Sequence, residues 1–346
     1  MGAPLLSIED LCVSIYLDEG VIRAVNGVSF TVEPGQTMAL VGESGSGKTM
    51  VAHAILRILP RRARIDGGRI LFAPAGEAPR DLAALDPESR EMRAIRGGAI
   101  GMVFQEPMTA LSPVHTIGEQ IAEVVRLHRG AGRAAARAAA IGALEDVGFP
   151  DPARKVDAYP FELSGGLRQR AMIAMALVGR PSLLIADEPT SALDVTVQAQ
   201  ILDLLLRLQR EHGMGLVLIT HDPGVVAHVA DVVTVMYCGR VMESGPVATL
   251  FTEPQHPYLQ ALLRSTPRLG HGEGERLQAI PGSVPDPLAP IRGCPFLSRC
   301  PEGEPELCGH AMPPLEVLGP DHRAACYKRG PGAAGPPTAA ATEAAR

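Results

Sequence analysis

The sequence has no tryptophan and only 3% aromatic residues, so any core it builds must be mainly aliphatic. It has no apolar run near the roughly 18 residues that a membrane-spanning helix needs, so a role at a membrane has to pass through a partner. An excess of positive charge is missing as well. There are 32 Lys and Arg against 38 Asp and Glu, a net charge of -6, which gives no general attraction to nucleic acid or anionic lipid. Arg61, Arg62 and Arg64 make one small basic patch, read as a solvated loop. Residues 1–10 lack the charged start and apolar middle of a signal peptide, so the expected location is the cytoplasm. Of the six cysteines, Cys12 and Cys238 stand alone in apolar segments and read as small buried hydrophobes. Cys294, Cys300, Cys308 and Cys326 crowd together near the end. In a reducing compartment such a cluster suggests metal binding or redox chemistry more than disulfides.

At 346 residues the chain exceeds one comfortable core, so a large domain with an appendage is expected. Period-two alternation predicts strands over 5–13 and 21–32, with Pro34-Gly35 as a turn. The short apolar run 37–41 leads through a glycine-rich loop into a helix over 49–59. Further strands are expected at 100–104, 183–186, 216–220 and 232–237, with helices at 195–211 and about 225–230 between them. This alternation predicts an α/β domain with a mainly parallel sheet, preceded by antiparallel strands. A helical block interrupts it over about 112–180. Thr116 and Glu119 have the spacing of a capping box, and the alanine-rich stretch 131–147 favours helix. Beyond 252 the composition shifts to proline and loops, giving a loop-rich extension over 253–328 and a low-complexity tail over 329–346 expected to be disordered.

The segment Gly42-Glu-Ser44-Gly45-Ser46-Gly47-Lys48-Thr49, between a strand and a helix, fits the phosphate-loop pattern. Glycines let backbone amides converge on phosphate oxygens, and the helix N-terminus adds favourable partial charge. Lys48 is expected to pair with the β- and γ-phosphates of ATP, and the Thr49 hydroxyl to ligate Mg²⁺. A chance glycine turn is the bland alternative, and the strand–loop–helix context argues against it. The apolar run 183–186 ends in Asp187 and Glu188, suited to holding Mg²⁺ and polarising the attacking water. An isolated acidic pair at a strand end is usually a solvated edge or cap. The preceding phosphate loop shifts the reading to catalysis.

Between these motifs lies Leu163-Ser164-Gly165-Gly166-Leu167-Arg168-Gln169, which resembles the signature sequence of ABC ATPases, with Leu167 where many members carry Gln. Gln105 resembles that family's Q-loop, Ser191-Ala-Leu-Asp194 its D-loop, and His221 its switch histidine. Each short match is weak alone, and a lone His is more often structural. The ordered set identifies the chain as a member of the ABC ATPases. The resemblance implies a P-loop fold with a helical insertion and a head-to-tail pair of ATPase domains. Each ATP would then lie between one phosphate loop and the other domain's Ser164, Gly165 and Gly166. Glu188 would act on water, His221 contact the γ-phosphate, and Gln105 link Mg²⁺ to the membrane subunit. Tyr16 is the candidate for adenine stacking, against the alternative of an ordinary strand residue.

The stretch 186–200, His256-Pro-Tyr258, Ile280-Pro-Gly282 and the cysteine tail resemble the oligopeptide and dipeptide importer subfamily, which also contains nickel importers. That resemblance implies two permease subunits, a second and paralogous ATPase subunit, an extracytoplasmic binding protein acting indirectly, and peripheral attachment at the cytoplasmic face. It also points to a [4Fe-4S] cluster on Cys294, Cys300, Cys308 and Cys326. A Zn²⁺ ion and unligated thiols are the alternatives. A soluble ABC ATPase of translation or DNA repair is the competing class. It is disfavoured by the single set of motifs and the missing basic footprint, and the peptide-importer tail argues against an exporter.

Overall fold

The computed structural model describes residues 3–191, 193–265 and 279–330. Twelve strands are present among them: β1 Leu6–Leu17, β2 Gly20–Val32, β3 Thr37–Val41, β4 Ala63–Phe72, β5 Arg80–Asp81, β6 Ile100–Val103, β7 Leu183–Asp187, β8 Gly215–Thr220, β9 Val232–Tyr237, β10 Arg240–Pro246, β11 Glu316–Gly319 and β12 His322–Ala324. They form an antiparallel sheet ordered β2-β1-β4-β5 and a larger one ordered β11-β12-β10-β9-β3-β8-β7-β6. In the larger sheet β9, β3, β8, β7 and β6 run parallel, and β10, β12 and β11 add antiparallel pairs at one edge. Every residue of β3, β7 and β8 is buried, as expected of parallel strands covered on both faces.

The helix Lys48–Ile55 packs between the two sheets with Leu6, Ile8, Leu11, Met38, Leu40 and Ile219. A second core holds the helical lobe, where Ile117, Ile121, Ala136, Ala140 and Leu144 meet Met172 and Ile173. The helix Ile117–Arg129 starts with the expected capping box. The Glu119 amide donates to Thr116 Oγ1 at 3.2 Å, and the Thr116 amide donates back to Glu119 Oε2 at 3.2 Å.

Three expectations need correction. Arg64 does not belong to a free loop: it lies in β4, which pairs with β1, while Arg61 and Arg62 stand in the exposed turn before it, as expected. Gly67-Gly68 disguised this strand. Asp10 in β1 takes a positive φ of 47°, the register shifts there, and a Cβ on Gly68 would lie 2.5 Å from the Asp10 carbonyl oxygen. Cys12 and Cys238 are half-buried and not fully buried as expected, although Cys238 packs against the core. Nor does the ordered extension stop at 328, because Arg329 donates to Glu302 at 2.9 Å and to the Gln255 carbonyl at 3.1 Å. The remaining tail, 331–346, lies outside the described residues.

The extension is tied into the main sheet. Strand β12 pairs with β10, and the fully buried Glu243 of β10 accepts the Gln255 amide (2.9 Å), the His256 amide (2.7 Å) and His322 Nε2 (2.8 Å). An aromatic-poor chain concentrates rings at this joint: Phe296 stands edge-on to Tyr237 with centroids 5.5 Å apart, and Tyr237 meets Tyr258 at 4.6 Å. All three side chains are fully buried. Phe296→Ala is therefore expected to lower the unfolding free energy by about 3–5 kcal/mol, read as a reduced denaturant midpoint.

Candidate active site

The phosphate loop connects the end of β3 to the helix Lys48–Ile55, at the carboxyl edge of the parallel strands where open α/β sheets place their ligands. Two of its glycines are required by space. A Cβ on Gly42 would stand 2.1 Å from the Met236 carbonyl oxygen, and one on Gly47, whose φ is +102°, 2.1 Å from that of Ala24. Neighbouring strands thus clamp the loop against the sheet, and its amides can curl round a small anion. The Lys48 ammonium is buried and donates to the carbonyls of Gly42 (2.8 Å) and Glu43 (3.0 Å) and to Ser46 Oγ (3.3 Å). Burial pushes its pKa down, and the carboxylates of Glu188, Asp187 and Glu43 oppose that shift.

Strand β7 delivers Asp187 and Glu188 to the same edge. Asp187 is 2% exposed, and burial pushes its carboxyl pKa up despite a hydrogen bond with Thr49. Its Oδ1 atom is buried without a hydrogen-bond partner. A carboxylate oxygen left bare beside a threonine hydroxyl and a phosphate loop is the donor arrangement a hard cation such as Mg²⁺ takes, so these residues fit that ion.

Glu188 carries the strain of the site, with a positive φ of 43° that is uncommon for a residue other than glycine. Its amide donates to the Ile219 carbonyl at 2.9 Å, which anchors the turn to β8. One carboxylate oxygen accepts Gln105 Nε2 at 3.1 Å, and the other lies 3.0 Å from His221 Nδ1. Gln105 arrives from the end of β6 and His221 from the end of β8. Two expected residues, Gln105 and His221, therefore meet on the carboxylate of a third, although 83 and 33 positions separate them from it in sequence.

The remaining expected residues fall into two groups. Ser44, Gly45, Ser46, Gly47, Lys48, Thr49, Gln105, Glu188 and Tyr16 line one cavity of about 1320 Å³. Tyr16 is 41% exposed on its wall. Its hydroxyl donates to Asp66 at 2.9 Å, and the Arg64 guanidinium lies 5.3 Å from its ring centre. Ser164, Gly165 and Gly166 are not part of this cavity. Ser164 and Gly165 are exposed at the start of the helix Gly165–Leu177, and Ser164 makes no side-chain cap. Asp194 also lies outside the cavity and caps the helix Val195–His212 by accepting the Val197 amide at 3.0 Å.

Part of the cavity escaped the motif reading. Its far wall is the segment 284–292 of the extension, and Cys12 and Cys238 contribute between the walls. Leu288 packs onto the β1–β2 turn, where a Cβ on Gly20 would meet its Cδ2 at 3.3 Å. Only the bias toward proline hinted at a fixed, extended course for this segment.

The four tail cysteines line a second, small cavity with Leu297, Glu302 and Tyr327. Burial pushes the Cys294 thiol up to about 12 and raises those of Cys300 and Cys326. The backbone amides of Phe296, Glu302 and Lys328 bond to these three sulfurs and pull the other way. Among the described residues, no group of three or more His, Cys, Asp or Glu is placed to hold a metal ion, so the expected [4Fe-4S] cluster finds no more support here than the alternative Zn²⁺.

Residues 25–191 match the family model described as ABC transporter, and residues 242–308 match that described as oligopeptide/dipeptide transporter, C-terminal region. A putative peptide import ATP-binding protein of Brucella abortus (strain 2308) is 51% identical over 331 residues, covering 94% of this chain and 97% of that one. The oligopeptide transport ATP-binding protein of Salmonella typhimurium (strain LT2) is 47% identical over 324 residues, covering 94% and 93%. Among solved structures, a dimeric ATP-binding cassette in a post-hydrolysis state with ADP and Pi superposes with a TM-score of 0.61 at 27% identity, over 70% of this chain and 98% of that one. The chain belongs to the ABC transporter family as an ATP-hydrolysing subunit, in the branch that carries the oligopeptide/dipeptide transporter C-terminal region.

Proposed function

We propose that this subunit couples ATP hydrolysis to the import of di- and oligopeptides, working peripherally at the cytoplasmic face of the membrane through permease partners. The observation that carries the reading is a phosphate loop and a strained Glu188 in one site, on a chain similar over nearly its whole length to proteins named for peptide transport. In this reading residues 1–252 form the ATPase body, and the extension from 253 is fastened to its sheet. Gly42 to Gly47 and Lys48 hold the β- and γ-phosphates, and Tyr16 offers its ring to the adenine. Thr49, Asp187 and Gln105 are the residues that would hold Mg²⁺. The ion, when bound, neutralises charge developing on the transferred phosphoryl group. Glu188 accepts the proton of the attacking water, and Gln105 and His221 keep its carboxylate in place. His221 also reaches for the γ-phosphate.

The Ser164-Gly165-Gly166 start of a 13-residue helix, exposed at Ser164 and Gly165, lies apart from the cavity, so it is free to present its amides to ATP held by a second subunit. We assign that second subunit to a paralogue, with Asp194 near the junction. A binding protein outside the membrane would deliver the cargo to the permeases.

Cys294, Cys300, Cys308 and Cys326 would hold a [4Fe-4S] cluster. Four thiols converge on one cavity and three already receive backbone N–H bonds, which stabilise thiolate ligands. Iron and acid-labile sulfide measured on anaerobically purified protein should approach four of each per chain, from cluster stoichiometry. Zinc alone, or no metal, would remove the cluster.

The coupling test is phosphate release by the subunit assembled with its permease and ATPase partners, with and without peptide-loaded binding protein. Stimulation by the loaded binding protein supports peptide import. Stimulation by a nickel-loaded one instead would change the cargo, and indifference to every membrane partner would end the transport reading.

A further inference from the structure

Glu43, the second residue of the phosphate loop, is fixed at every polar group. Its amide donates to Tyr258 Oη at 2.8 Å, and its carbonyl accepts Lys48 Nζ at 3.0 Å. Its carboxylate receives a two-pronged grip from Arg299, with Nη1 to Oε2 at 2.6 Å and Nη2 to Oε1 at 3.0 Å. The Arg299 side chain is 4% exposed. Nη1 also donates to Tyr237 Oη at 3.1 Å, Nε to the Pro281 carbonyl at 3.0 Å, and Nη2 to that of Ile280 at 3.4 Å. Its guanidinium lies 5.8 Å and 5.9 Å from the ring centres of Tyr237 and Phe296.

The phosphate-loop pattern asks for glycines, a lysine and a hydroxyl, and leaves this position open. An unpaired carboxylate beside a polyphosphate would repel it. The fork of Arg299 neutralises that charge. Arg299 ends the short 3₁₀ turn Leu297–Arg299, between Cys294 and Cys300. One side chain therefore links the cysteine cavity to the loop that binds phosphate.

We propose that Arg299 is a positioning residue for ATP binding, through which the cysteine turn sets the affinity of the phosphate loop. The inference rests on the nucleotide reading of the loop, but not on the cargo or on which group the cysteines hold. Binding is measured on the full-length subunit alone with a fluorescent ATP analogue, with Lys48→Ala as the control for the site itself. Arg299→Met, which keeps the apolar stem, should weaken binding on the order of 10- to 100-fold by leaving the half-buried Glu43 carboxylate unpaired beside the phosphate loop. Arg299→Lys should recover only part of this loss, because an ammonium lacks the fork. Adding Glu43→Gln to Arg299→Met should recover most of it. Amide hydrogen exchange in residues 42–48 should quicken in Arg299→Met. Turnover at saturating ATP, measured in the assembled transporter, should change within about twofold, so that the effect falls on KM.

Cys300→Ser should weaken analogue binding in the native background and have no added effect once Arg299 is Met. If Arg299→Met does not fold, Arg299→Lys and Glu43→Gln carry the same cycle. Native affinity in the Arg299 variants, strictly additive losses, or a Cys300 effect of equal size in both backgrounds would each overturn the proposal. Unchanged binding in Lys48→Ala would instead overturn the nucleotide reading on which it rests.

Discussion

Glu188→Gln is expected to cut ATP hydrolysis by about 10²- to 10⁴-fold, the usual contribution of a positioned general base, while ATP still binds. The amide has the shape of the carboxylate and can keep the contacts with Gln105 at 3.1 Å and His221 at 3.0 Å, but it cannot take a proton from water. In the proposed reading the phosphate contacts come from the loop and Lys48, which the change does not touch. Phosphate release from the assembled transporter, paired with nucleotide binding, separates the two effects. His221→Ala should give a smaller loss. The double variant should be little worse than Glu188→Gln alone, because both residues act through one carboxylate. Hydrolysis within tenfold of native in Glu188→Gln would move the base elsewhere.

The residues of this site were legible because their chemistry is local. A phosphate loop needs its glycines, lysine and hydroxyl in one short run, and an apolar strand ending in two acids reads directly as β7. The parallel strands were equally plain, since strands buried on both faces are uninterrupted apolar runs. What stayed hidden depends on distant partners. Gly67-Gly68 breaks the alternation of β4 because the bulge of β1 approaches it, which local propensity does not record. The Glu43–Arg299 pair spans 256 positions, and either residue alone reads as an ordinary surface charge. The segment 284–292 read only as part of a loop-rich extension because a wall built on proline and small apolar residues has no periodicity. The joint of the extension was hidden in the same way: β11 and β12 are too short to announce themselves and exist by pairing onto β10.

Asp187→Asn should separate stability from activity in the opposite sense to most core substitutions. The carboxyl is 2% exposed with one oxygen unpartnered, and burial is the main cause of its raised pKa. A raised folded pKa means that the folded chain binds the proton more tightly than the unfolded one. The stability gained from the protonated acid is present below the unfolded value near pH 4, and is lost as pH rises through the folded value. At neutral pH the ion-free subunit therefore carries a destabilising carboxylate, which a neutral amide of the same shape relieves. An unsatisfied buried group costs about 1–3 kcal/mol, and Tm moves by about 2–4 °C per kcal/mol, so the variant should melt several degrees higher at pH 7. The difference should shrink toward pH 4. Hydrolysis should fall on the order of 10²- to 10³-fold, because the carboxylate proposed to hold the cation is gone. Mg²⁺ should also add less to the stabilisation that ATP gives the variant. Thermal melts across this pH range, with and without Mg²⁺ and ATP, decide the matter. A variant less stable than native at pH 7 would mean that Lys48 and Thr49 outweigh burial at Asp187, and native hydrolysis would remove this residue from the metal site.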